Sequence, residues 1–312
     1  YRGQMPARVV GITGSVGKTT TKEMLAQTLS AGFDVMKTAG SQNSQVGVPI
    51  TICGLEPRHT AAVVEMGMSM PGEMGRIAPV VRPTCAVITH IGVAHIEGCK
   101  TRENILKEKL HIADYLPYTG ALFVNGDDDL LSVLEDTAAC RVIPYGLGED
   151  CYWQAQDLRE ENGGTRFTCL SPQGWEQEVF VPAPGVHNVR NALACMAVAC
   201  HLGMAGEAAA QAIADYTPPA MRQQILQAGG VTVIDDSYNA SPDSMRSALD
   251  VLCSRPCEGR RFAVLADMLE LGESAPQLHY QVGEQAAQSG VDLLLAWGEL
   301  SQELVRGASE KG

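Results

Sequence analysis

Residues 9–20 read Val9-Val-Gly-Ile-Thr-Gly-Ser-Val-Gly-Lys-Thr-Thr20, and this stretch decides the fold. The β-branched run Val9, Val10 and Ile12 predicts a strand, the glycines a bend, and the composition of 20–31 a helix. A strand that passes through a glycine loop into a helix N-terminus forms a cradle for an anion. Glycines let backbone N–H groups approach it, the helix end adds partial positive charge, and Lys18 adds a full one. Thr19 would supply a hydroxyl to Mg²⁺. Position 12, where the usual loop pattern has its first glycine, is Ile12; the glycines fall at Gly11, Gly14 and Gly17. The loop is a variant that keeps Gly-Lys-Thr in place.

The rest of the chain fits an α/β protein of two domains. It has 312 residues, 45% of them hydrophobic, enough for two cores. Short apolar runs at 61–64, 85–88 and 121–124 suit buried parallel strands, with helical stretches between them, notably 101–116. Residues 150–182 carry Trp153, Phe167 and Trp175 among turn residues and predict an antiparallel excursion. Helix returns over 188–202. Pro218-Pro219 marks a domain boundary, dividing a central domain (1–219) from a second α/β domain (220–312). The second domain is expected to hold strands at 231–235, 261–265 and 292–297 in one small sheet, with helices at 242–252 and 276–288. The fold class is thus a P-loop domain with a mostly parallel, helix-flanked sheet, followed by a truncated Rossmann-like domain. Both ends of the chain read as cuts through a longer protein.

The net charge of −13 argues against nucleic acid and anionic membranes as partners. Ten cysteines form no C-x-x-C pair and several sit in apolar runs, as free thiols in a reducing cytoplasm do. No signal peptide or membrane-spanning run is present, so the expected location is cytoplasmic. A monomer is expected.

In open α/β sheets, ligands lie beyond the C-terminal strand ends. Lys18 and Thr19 follow the first strand, Glu65 closes the run at 61–64, and His95 lies past the run at 85–88. A carboxylate and an imidazole near bound phosphates are natural partners for Mg²⁺ or Mn²⁺. Lys109 falls between Ile105, Ile112 and Leu116 on the apolar stripe of its helix, where an ammonium is costly unless paired, modified or snorkelling to water.

Several longer stretches carry a family resemblance. They are Lys37-Thr-Ala-Gly-Ser-Gln-Asn-Ser-Gln-Val-Gly-Val-Pro49, Val64-Glu-Met-Gly67, Thr89-His-Ile-Gly-Val-Ala-His-Ile-Glu97, Asp235-Asp-Ser-Tyr-Asn-Ala-Ser-Pro-Asp-Ser-Met245 and Ala266-Asp-Met-Leu-Glu-Leu-Gly-Glu273. With the loop at 11–20, they resemble the Mur ligases of bacterial cell-wall synthesis. Within that family they look closest to the branch that joins D-alanyl-D-alanine to a UDP-N-acetylmuramoyl tripeptide by ATP-dependent amide formation through an acyl phosphate. The resemblance implies that Gly14, Ser15, Gly17, Lys18, Thr19 and Thr20 hold ATP, with Lys18 on its β- and γ-phosphates. It implies that Thr19 and Glu65 hold one Mg²⁺, and that His95 and a carbamylated Lys109 serve a second. Asn188 and Asn191 match adenine-side contacts, Arg222 a γ-phosphate contact and Asp236 a ribose contact. It also implies that a small N-terminal domain for the uridine nucleotide is absent and that the C-terminal domain is incomplete, so that this chain alone would bind Mg-ATP without ligating. Val16, Ser41, Ser44, His90, Ser241 and Ala266 depart from the family's usual residues. Other readings of the same loop are a ligase of this fold for another amino acid or for folate, or a P-loop ATPase that couples hydrolysis to motion.

Overall fold

The computed structural model describes residues 1–136 and 140–311. They form two compact units: Tyr1–Ile91 with Arg102–Pro218, and Gly92–Thr101 with Pro219–Gly312.

The first unit is built on a nine-stranded sheet. Its strands are β1 (Arg8–Thr13), β2 (Val35–Lys37), β3 (Ala61–Glu65), β4 (Cys85–Ile88), β5 (Ala121–Asn125), β6 (Arg141–Gly146), β7 (Trp153–Glu161), β8 (Gly164–Leu170) and β9 (Glu176–Val181). The order is β2-β3-β1-β4-β5-β6-β7-β8-β9. Strands β2 to β7 are joined in parallel, and β7, β8 and β9 pair antiparallel, as the turn-rich stretch at 150–182 predicts. The chain runs to one side of β1 for β2 and β3 and crosses to the other for β4. The C-terminal end of β1 is therefore a topological switch point, where such sheets leave a crevice.

The parallel strands are buried because helices cover both faces. The helices of the first unit are α1 (Lys18–Ser30), α2 (Gly47–Cys53), α3 (Glu73–Val81), α5 (Arg102–Leu110), α6 (Val186–His201) and α7 (Gly206–Ala214); α4 (Ile96–Cys99) belongs to the second unit. Val10 and Ile12 share a core with Met24, Leu25 and Leu29 of α1 and with Val189 to Ala199 of α6. On the other face, a Cβ at Gly11 would lie 3.1 Å from both Ile112 and Met66. The long helix expected over 101–116 is shorter: α5 ends at Leu110 and a 3₁₀ turn, His111–Ala113, carries Ile112 into the core.

The second unit continues with strands β10 (Gln224–Ala228), β11 (Val231–Asp235), β12 (Phe262–Ala266) and β13 (Leu293–Trp297), and helices α8 (Pro242–Ser254), α9 (Ala275–Gln288) and α10 (Gln302–Lys311). The expected three-stranded sheet does not form. β11 pairs antiparallel with β10, a strand that sequence reading missed, and β12 pairs in parallel with β13. The turn at Gly229-Gly230, both with positive φ, makes a tight hairpin that takes β11 locally. Met245, Leu249, Ala263, Met268, Val282, Ala286 and Leu304 form this unit's core.

Candidate functional site

In the first unit, register and loop geometry bring most of the candidates together. Glu65 is the last residue of β3 and pairs in register with Ile12, two residues before Gly14. The loop turns sharply at Gly14 (φ +149°), where a Cβ would lie 2.0 Å from Thr89 Oγ1. Gly17 caps α1 in the left-handed conformation. No other residue type meets both demands at Gly14. The first amides of α1, from Lys18 onward, have no intrahelical acceptors and face the strand end. The Ser15 N–H donates to the His90 carbonyl at 2.8 Å, so that amide braces the loop against the residues that follow β4.

Lys18 is half-buried, and its ammonium donates to the carbonyls of Gly14 (2.8 Å) and Ser15 (3.2 Å). Lys109 is 1% exposed and donates to the same Gly14 oxygen at 3.1 Å. Its place on the apolar stripe is real, and its head does not snorkel to water. Two lysines thus converge on one carbonyl at the base of the loop.

Thr19 Oγ1 donates to Glu65 Oε1 at 3.2 Å, and Asn43 Nδ2 donates to the same oxygen at 2.7 Å. Glu65 Oε2 is buried and accepts no hydrogen bond among the described residues. A buried carboxylate oxygen left over beside a hydroxyl is an all-oxygen donor set suited to a hard divalent cation. No group of three or more His, Cys, Asp or Glu side chains that could hold a metal occurs among the described residues. Mg²⁺ fits that arrangement, because it takes one or two protein oxygens and completes its shell with water and phosphate.

Asn191 stands beside the loop: its Oδ1 would be 3.1 Å from a Cβ at Gly17 and accepts from Thr21 Oγ1 at 3.1 Å. Asn188, one helical turn earlier, donates to Pro184 O at 2.8 Å. Thr20 is half-buried in the first turn of α1.

Sequence reading missed three supports. Asn43, in a loop without periodicity, reaches Glu65. Lys22 looks like a surface residue of α1 but is fully buried. Asp128 accepts from His90 Nδ1 (2.7 Å) and from the amides of Ile91 (2.8 Å), Leu130 (3.0 Å) and Leu131 (3.1 Å). Burial pushes its pKa up, but the His90 bond and the backbone donors outweigh burial and leave it below the usual carboxylate value. A His-Asp pair of this kind has no short-range sequence signature.

His95, Arg222 and Asp236 belong to the second unit. His95 was expected simply at a strand end of the first; its segment instead packs with the second. It adopts a left-handed conformation (φ 66°) at the start of α4, and its Nδ1 pairs with Glu270, also left-handed (φ 61°). Such backbone strain in two facing residues concentrates at functional sites. Arg222 lies between left-handed Met221 and Gln223, with its guanidinium 3.9 Å from the centroid of the Tyr238 ring. Burial raises the pKa of Asp236 above the usual carboxylate value, opposed by hydrogen bonds with Gln223 and the charge of Arg222. Among the described residues, no helix is long and apolar enough to cross a membrane.

Comparison with known proteins agrees with this geometry. A Mur ligase middle domain model matches residues 12–199, and a Mur ligase, glutamate ligase domain model matches residues 221–312. The chain is 36% identical over 309 residues to the UDP-N-acetylmuramoyl-tripeptide–D-alanyl-D-alanine ligase of Bacillus subtilis, covering 99% of the chain and 66% of that protein. It is 36% identical to the Escherichia coli ligase of the same name, covering 97% of the chain and 67% of that protein. A crystal structure of MurF from Acinetobacter baumannii superposes with a TM-score of 0.93 at 32% identity, over 99% of this chain and 67% of that one. MurF from Thermotoga maritima, solved in complex with ADP, superposes with a TM-score of 0.83 at 25% identity, over 99% of this chain and 80% of that one. The chain therefore spans about two thirds of the length of the curated relatives it matches.

Proposed function

We propose, since the chain belongs to the Mur ligase family, that it carries the ATP site and C-terminal-domain residues of a cytoplasmic ligase that joins D-alanyl-D-alanine to a UDP-N-acetylmuramoyl tripeptide. The observation that carries the reading is the convergence of Lys18, Thr19, Glu65 and Lys109 on a glycine loop at the sheet's switch point. The relatives' shared name supplies the substrates, and the ADP complex of the Thermotoga maritima protein supports ATP as the nucleotide.

In this reading, a carboxylate oxygen of the tripeptide attacks the γ-phosphorus of ATP and ADP leaves. The amine of D-alanyl-D-alanine then attacks the acyl carbon, phosphate leaves with the carbon–oxygen electron pair, and the nitrogen loses a proton. Condensation is thereby divided into two easier displacements. The loop amides and Lys18 orient the phosphates and oppose their charge, which is the main work in phosphoryl transfer. Asn188 and Asn191 would meet the adenine side of the nucleotide. Thr19 and Glu65 would hold one Mg²⁺, and Lys109 would serve a second; for the second unit, the family resemblance assigns His95 to metal, Arg222 to the γ-phosphate and Asp236 to the ribose. Bound Mg²⁺ would supply neutralisation of phosphate charge. Lys109, carried as a carbamate, would be an anion in place of a buried cation.

The test is to incubate a form of the ligase that also holds the uridine-nucleotide domain, since this chain alone is expected to bind ATP without ligating, with ATP, UDP-N-acetylmuramoyl tripeptide and D-alanyl-D-alanine and to analyse the products by mass spectrometry. Amide product matched by ADP, and lost when another amino acid replaces the dipeptide, is expected. ATP hydrolysis that proceeds equally without either substrate would instead favour a P-loop motion-coupled ATPase.

A further inference from the structure

Lys22 has no part in the site as described so far, yet its placement is costly. It lies on α1 one helical turn beyond Lys18, and its side chain is wholly excluded from solvent. An ammonium is buried only when oxygens replace its water. Three do so: the carbonyls of Thr38 (3.1 Å) and Gly40 (2.7 Å) and Glu23 Oε1 (2.7 Å). A fourth oxygen, Glu65 Oε2, stands 3.9 Å away. That distance is too long for a hydrogen bond but short enough for strong Coulomb attraction. This is the same carboxylate oxygen that accepts no hydrogen bond.

The surrounding charges balance. Glu23 is shared between Lys22 and Lys37, so Lys22, Lys37, Glu23 and Glu65 sum to zero. Lys22 also anchors the segment from which Thr38 Oγ1 accepts the Glu65 N–H (3.0 Å) and Asn43 orients the Glu65 head. The carboxylate is thus aimed by one end of this segment and electrostatically offset by the lysine that fixes the other.

We propose that Lys22 is a positioning residue that makes the Thr19–Glu65 metal site depend on nucleotide. Its fixed charge stands beside the open Glu65 oxygen without occupying it, and cancels the negative charge that would hold a divalent cation alone. The cation is retained only when the phosphates of the nucleotide add their charge. A purely structural lysine would leave free-metal affinity unchanged or weaker on removal. A counter-charge predicts the opposite sign. The inference rests on the reading that Thr19 and Glu65 hold the metal.

The experiment is Mn²⁺ binding measured by electron paramagnetic resonance, with and without a non-hydrolysable ATP analogue, on the wild type, Lys22→Met, Lys22→Gln, Lys22→Arg and Glu65→Gln. Wild type should bind Mn²⁺ weakly alone and tightly with the analogue. Lys22→Met, or Lys22→Gln where an amide donor is needed for folding, should bind Mn²⁺ without nucleotide about ten-fold more tightly than wild type. Lys22→Arg keeps the charge and should stay weak. Unchanged or weaker nucleotide-free binding in a folded neutral variant overturns the proposal. So does tight nucleotide-free binding by wild type, which needs no variant to fold. Glu65→Gln separates the two ideas: if it binds Mn²⁺ with the analogue as well as wild type does, the metal assignment fails rather than the role of Lys22.

Discussion

Carbamylation of Lys109 can be tested from the geometry of a single carbonyl. Lys18 and Lys109 both donate to Gly14 O, at 2.8 and 3.1 Å. Their nitrogens therefore lie within about 6 Å of each other, where two unit charges repel by about 3 kcal/mol at an effective dielectric of about 20. That is about a hundred-fold bias against holding both as ammonium, before the desolvation of a side chain 1% exposed is added. Addition of CO₂ to the neutral amine removes the repulsion and reverses its sign. The assay is ¹³C NMR of protein equilibrated with labelled bicarbonate. A carbamate carbonyl resonance is expected in wild type and not in Lys109→Met, with a loss of ligase activity in Lys109→Ala, in a form that also holds the uridine-nucleotide domain, that short carboxylic acids partly restore. A wild-type spectrum without that resonance in saturating bicarbonate, together with full activity of Lys109→Met, would refute the reasoning.

Three further outcomes follow from the same site. Gly14→Ala places a methyl 2.0 Å from Thr89 Oγ1 at a φ of +149°, and should cost about 2–4 kcal/mol in urea unfolding and abolish nucleotide binding; near-native stability would show that the loop relaxes freely. Lys18→Ala should lower the ligation rate about a hundred-fold or more while thermal stability falls only slightly, since it removes a charge aimed at phosphate and two loop hydrogen bonds; a normal rate excludes the phosphate role. Asp128 has a depressed pKa, so its stabilisation is present above the unfolded value of about 3.9 and is lost as pH falls through the lower folded value. The stability gap between wild type and Asp128→Asn should be about 1–3 kcal/mol near neutrality and shrink below about pH 4; a gap that grows on acidification contradicts the sign.

What the sequence discloses here is local. The cradle is legible because strand, glycine bend and Gly-Lys-Thr occupy a dozen consecutive residues, and Glu65 is legible because it ends an apolar strand. Lys109 is legible from helical spacing against Ile105 and Ile112. Lys22 is not, because its burial depends on a segment after β2 folding over α1. Asn43 and Asp128 escape for the same reason: each sits in a loop that carries no period, and Glu65 for Asn43, like His90 and Ile91 for Asp128, lies more than twenty residues away. The β10 strand was missed because it is half polar, and with it the true pairing of β11. His95 shows the limit of strand-end reasoning, since its chain position did not reveal that it packs with the second unit.

The central claim is that ATP activates the tripeptide carboxylate for attack by the dipeptide amine. It is tested most directly by labelling that carboxylate with heavy oxygen and following the label during ligation. An acyl phosphate requires that one labelled oxygen leave with inorganic phosphate for each amide bond formed. Amide product accompanied by unlabelled phosphate would contradict the account.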